Sequence, residues 1–75
     1  MKVHITFKEV DIGDIDAMKT LLDDFLSVIS MTAINHKRFK KYGLLSGDID
    51  PSFLLTVQSM ERVHSVSIDQ ERYTL

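Results

Sequence analysis

Within 75 residues the hydrophobic period of this chain changes from that of a strand to that of a helix and back, twice. The opening Lys2–Lys8 segment alternates, with Val3, Ile5 and Phe7 on one side and Lys2, His4, Thr6 and Lys8 on the other. Period two with a single apolar side describes a strand with one buried and one wet face. Ile15, Met18, Leu22, Phe25 and Ile29 then recur at three- and four-residue spacing, one stripe along roughly four turns of helix. Asp11, Asp14 and Asp16 crowd its start, where carboxylates accept from free backbone N–H groups and oppose the positive end of the helix dipole.

Past Ser30-Met31-Thr32, which closes that helix, the pattern predicts two strands. Ala33 to Phe39 reads as a weak strand and Tyr42 to Ile49 as a more apolar one loosened by Gly43 and Gly47. A turn within Lys40–Gly43 makes them a hairpin. Asp50-Pro51 predicts a second helix, with Asp50 as cap and Pro51 at the first position, where its missing N–H costs nothing. Phe53, Leu54, Val57 and Met60 form its stripe as far as Arg62. A last strand carries Val66 and Ile68 alternating with Ser65 and Ser67.

The order strand, helix, strand, strand, helix, strand specifies an α+β fold: the ferredoxin-like split βαβ sandwich, βαββαβ, an antiparallel sheet with two helices on one face. With no linker or repeat, residues 1–75 read as one domain. A chain this short is near the lower limit for a self-supporting core. A secreted domain of that size is usually stapled by disulfides, and there is no cysteine, so a reducing, cytoplasmic setting is expected. Met1-Lys2-Val3-His4-Ile5 runs straight into a strand, which predicts no leader peptide, and no apolar run is long enough for a membrane span. A net charge of −2 gives no overall pull toward nucleic acid or anionic membranes.

Several side-chain groups invite a chemical reading. His36-Lys37-Arg38-Phe39-Lys40-Lys41-Tyr42 holds four of the nine basic residues and two aromatic rings, a composition suited to phosphate contact and base stacking. A solvated hairpin edge, whose lysines discourage strand-to-strand aggregation, accounts for the same composition. His4 and His64 fall on opposite sides of their strands, so no metal-ligand spacing arises and no cofactor is expected. No glycine-rich phosphate loop follows the first strand, where Glu9 and Asp11 would repel an anion. Serines are plentiful, but nothing in the sequence fixes a Ser-His-Asp geometry. These observations predict a binding protein rather than an enzyme.

The ending is the most informative segment. Val63-x-x-Val66-x-x-Asp69, followed by six residues, resembles the close of subtilisin propeptides and their free-standing relatives, the proteinase B inhibitor family. Lys2-Val3-His4-Ile5-Thr6-Phe7-Lys8 is similar to that family's first strand. Tyr42-Gly43-Leu44-Leu45-Ser46-Gly47-Asp48-Ile49 is similar to its third, and Asp50-Pro51-Ser52 to the start of its second helix. The chain differs in having Thr32-Ala33-Ile34-Asn35 where the family commonly has a Gly-rich turn, and Arg72 where an apolar residue is frequent.

The resemblance implies inhibition or chaperoned folding of a subtilisin-like serine protease by a monomeric chain. Arg72, Tyr73, Thr74 and Leu75 would lie in the substrate groove as an added strand, with Leu75 in the primary pocket and its carboxylate by the catalytic serine. His4, Thr6, Ser65 and Ser67 would rest on the enzyme, and Asp48 or Asp69 would meet helix N-termini there. The alternative use of the chain is nucleic-acid binding through Lys37, Arg38, Phe39, Lys40, Lys41 and Tyr42.

Overall fold

The computed structural model describes residues 1–69. Strand β1 (Lys2–Phe7) is followed by helix α1 (Ile15–Val28), a two-residue strand β2 (Met31–Thr32) and helix α2 (His36–Tyr42). Strand β3 (Leu44–Ile49), a 3-10 turn (Pro51–Phe53), helix α3 (Leu54–Ser59) and strand β4 (Val63–Ile68) complete the order. The sheet runs β2-β3-β1-β4 with every neighbour antiparallel. This is the split βαβ arrangement expected from the sequence, an α+β sandwich with one helix more.

Pairing of Ile5 with Leu45 and with Val66, and of Val3 with Gly47 and Ile68, puts the apolar positions of three strands on one side. Against that side pack Met18, Leu21 and Phe25 of α1, Phe39 of α2 and Val57 of α3, forming a single core with Val3, Ile5, Phe7, Ile29, Leu45, Ile49 and Val63. The three helices α1, α2 and α3 therefore share one face of the sheet, and among the described residues the other face is left without a layer. The stripe predicted for α1 holds from Met18 onward. Ile15 does not belong to it: at the first helical position it stands 77% exposed, and Leu21 is buried beside the predicted Leu22, which is half-buried.

The predicted hairpin is corrected. Ala33–Phe39 is not a strand, and the turn proposed within Lys40–Gly43 is the end of a helix. Asn35 accepts from the Arg38 N–H at 3.0 Å and caps α2. Gly43, at φ +70°, donates to the Phe39 carbonyl at 2.8 Å and closes it. That αL position suits glycine, and a Cβ there would also meet Val10 Cγ1 at 2.9 Å. Only Phe39 anchors this helix in the core, so one apolar residue among cations carries no helical stripe.

The second predicted helix also starts as expected and stops sooner. Asp50 accepts from the Ser52 N–H at 2.9 Å, Pro51 opens the 3-10 turn, and α3 ends at Ser59 rather than Arg62. Arg62 instead ties the β1 end to β4: its carbonyl accepts from the Lys8 N–H at 2.7 Å and its guanidinium donates to the Lys8 carbonyl at 3.1 Å.

Candidate functional site

The uncovered sheet face is built by strand parity. Lys2, His4 and Thr6 of β1 lie between Leu44, Ser46 and Asp48 of β3 and Ser65 and Ser67 of β4, with Asp69 just beyond. His4, Thr6, Asp48, Ser65, Ser67 and Asp69, singled out from the sequence, thus come together on one surface. Thr6 and Ser65 share a hydroxyl–hydroxyl hydrogen bond of 2.6 Å. At the end of the sheet Asp48 stands opposite Lys2. The Lys2 Nζ is 3.6 Å from an Asp69 carboxylate oxygen. A row of alternating charge therefore crosses three strands.

Ser46 of this face escaped the sequence reading, and Lys2, placed on the wet side of β1, was not among the residues singled out. Ser46 Oγ lies 2.7 Å from His4 Nδ1, and His4 Nε2 lies 3.6 Å from the Asp69 oxygen. Hydroxyl, imidazole and carboxylate stand in sequence, but the arrangement is a polar link between strands. Ser46 is only 4% exposed. The second separation exceeds hydrogen-bond length. Alternation in Leu44–Ile49 was the signal that would have placed Ser46 opposite His4, once the register was known.

Asp69 also fixes where β4 ends. Its N–H donates to the Lys2 carbonyl at 2.9 Å, continuing the β1–β4 ladder one residue beyond the strand. Residues Arg72, Tyr73, Thr74 and Leu75, the tail implied by the resemblance, lie outside the described residues.

The basic segment has a different character from the one expected. Lys37, Arg38, Lys40 and Lys41 are exposed on α2. Phe39 is 2% exposed and faces Phe7 in the core, so its ring is not open to a base. Tyr42 is 62% exposed, with the Lys41 ammonium 5.4 Å from its ring centre. The nucleic-acid patch is thereby reduced to cations and one ring.

Among the described residues no group of three or more His, Cys, Asp or Glu side chains is placed to hold a metal ion. No helix among them is long and apolar enough to cross a membrane. No family model, curated protein or solved structure matches the chain.

Proposed function

We propose that this chain is a binding protein, not an enzyme, that inhibits a subtilisin-like serine protease or templates its folding. The residues after Asp69 enter the substrate groove as an added strand, and the uncovered sheet face rests on the enzyme. The observation that carries this reading is the anchoring of Asp69. A backbone hydrogen bond and a lysine contact tie it to β1 at the sheet end, next to the segment that the reading assigns to the groove. Preorganisation of that kind lowers the ordering cost of binding an extended segment. The polar face beside it supports the reading as well, because residues that the resemblance assigns to the interface share it. The cations of α2 lie on the helix side of the sheet and are not needed for this contact.

The test is a titration of subtilisin activity with the full chain and with a chain ending at Glu71. Tight, saturable inhibition by the first and none by the second is the expected result, with both showing the same melting temperature. Equal inhibition by the shortened chain would exclude the tail, and no inhibition by either would exclude the reading.

A further inference from the structure

The two edges of the sheet are not alike. At one, β2 offers only Met31 and Thr32. At the other, β4 runs from Val63 to Ile68 and pairs with β1 alone among the described residues. Shortness, charge, proline and bulges are what keep an open edge from pairing with another chain. Strand β4 contains no Lys, Arg, Asp, Glu or Pro. Its register shift lies at the Val63 end, opposite Thr6 and Phe7, so Ser65–Ile68 is a regular edge.

Alternation decides which groups that edge presents. The Asp69 N–H donates to the Lys2 carbonyl, so Ser67 and Ser65, of the same parity, also turn their backbone groups toward β1. Val66 and Ile68 turn their N–H and C=O away from it. No loop or helix among the described residues bonds to those four groups. The side chains of Val66, half-buried, and Ile68, 42% exposed, lie on the helix side of the sheet. Those of Ser65 and Ser67 are exposed on the polar side.

We infer that this edge is a self-association site, where a second copy of the chain lays its own β4 antiparallel across a twofold axis through Ser67. A twofold contact needs a patch that complements itself reversed, and this register complements itself at every position. Val66 of each copy stands opposite Ile68 of the other, which pairs all the outward N–H and C=O groups of both. On the helix side these β-branched residues pack across the strands and cover Ile68. On the polar side Ser67 meets Ser67, and Ser65 meets Asp69, whose carboxylate accepts from a hydroxyl. The two Asp69 carboxylates lie at opposite ends of the contact, so no like charges meet. An extended peptide of other sequence would have to bring apolar residues to the two helix-side places and small polar ones between and beside them. Strand β4 carries that order in both directions. Two four-stranded sheets become one continuous sheet, with all helices on one side and both polar faces on the other. The monomer expected from the sequence is, on this inference, the dilute form.

Sedimentation velocity on the full chain from about 10 μM to about 1 mM covers the range of a modest interface. The expected result is a mass that moves from one chain to two. Ile68→Pro removes one outward N–H and spares the β1 ladder, as proline does on an edge whose N–H faces solvent. Its circular dichroism spectrum should be unchanged and its pairing weaker by roughly tenfold or more. Cysteine variants report the register, because the chain has no thiol of its own. Across the axis the two Ser67 Cα atoms form a non-hydrogen-bonded pair about 4.5 Å apart, within disulfide reach. The two Ser65 positions are separated by four residues along the strand, about 13 Å. Mild oxidation should therefore cross-link Ser67→Cys readily and Ser65→Cys far less. A single-chain mass throughout the range overturns the inference. So does equal cross-linking of the two cysteine variants, or pairing indifferent to a folded Ile68→Pro. A chain ending at Glu71 should pair as the full chain does; if it alone pairs, the residues beyond Glu71 occupy the edge instead of a second copy.

Discussion

The ring of Phe7 meets that of Phe39 edge-on, with centroids 6.2 Å apart and planes at 82°. It meets Phe25 in the same manner at 5.6 Å and 84°. One residue of β1 therefore joins α1 and α2 through paired edge-to-face contacts, a geometry that the ring quadrupole favours. Truncating Phe39→Ala is expected to destabilise the fold by about 3–5 kcal/mol, since α2 has no second core anchor. Tyr42→Ala, on the same helix but exposed, should stay within about 0.5 kcal/mol of the parent. Urea unfolding measures both. Similar losses for the two would show that Phe39 is not the anchor.

That single anchor is also why α2 was not legible beforehand. Helical periodicity is visible when a stripe repeats, as it does from Met18 to Ile29. Seven residues with one buried side chain offer no repeat, and the helix is specified by its ends, Asn35 and Gly43. Those two residues were the available signal. Strand parity was more readable: the alternation around His4 and Ser67 placed the polar face correctly without knowledge of the sheet order. Ser46 needed the register, because its role depends on standing opposite His4 in another strand. Ile15 was misread because position in a stripe says which side a residue takes, not whether the partner layer extends that far.

Gly47 of β3 lies against the short strand β2. A Cβ there would lie 2.8 Å from Met31 Cγ and Sδ and 2.8 Å from the Thr32 carbonyl oxygen. A methionine end can move aside, but a backbone carbonyl moves only with its strand. Gly47→Ala is expected to cost about 1–3 kcal/mol, the usual range for overpacking. Faster amide exchange at Asn35, whose N–H donates to the Ser46 carbonyl at 3.0 Å, should report the displaced edge. An unchanged exchange rate there would place the strain elsewhere.

Asp50 has its carboxyl held below the usual carboxylate range, first by the Ser52 backbone N–H and then by the Ser52 side chain. A carboxylate whose folded pKa is depressed contributes stability above its unfolded pKa and loses that contribution as pH falls through the folded one. The chain should therefore lose this cap on acidification below the ordinary range of aspartate. Asp50→Asn keeps an acceptor for the cap and is expected to preserve the melting temperature at neutral pH while flattening this part of the acid limb. Asp50→Ala should lower the melting temperature at neutral pH, with the gap to the parent closing as pH drops. A gap that stays constant down to acid pH would rule out the ionised carboxylate as the capping form.

Ser67 offers the means to separate docking from folding. It is exposed on the polar sheet face, directly opposite His4, and its side chain has no hydrogen-bond partner among the described residues. Gln58, exposed on α3, lies on the helix side of the sheet. An arginine at either position should change stability by no more than about 0.5 kcal/mol, the ordinary range for surface substitutions. Their effects on protease inhibition should differ. A long cation at Ser67 would wedge between two surfaces that the proposed contact brings together, so inhibition by Ser67→Arg is expected to weaken roughly tenfold or more. Gln58→Arg should inhibit as the parent does. If both variants inhibit alike, the sheet face does not touch the enzyme, and binding would rest on the residues beyond Asp69 alone.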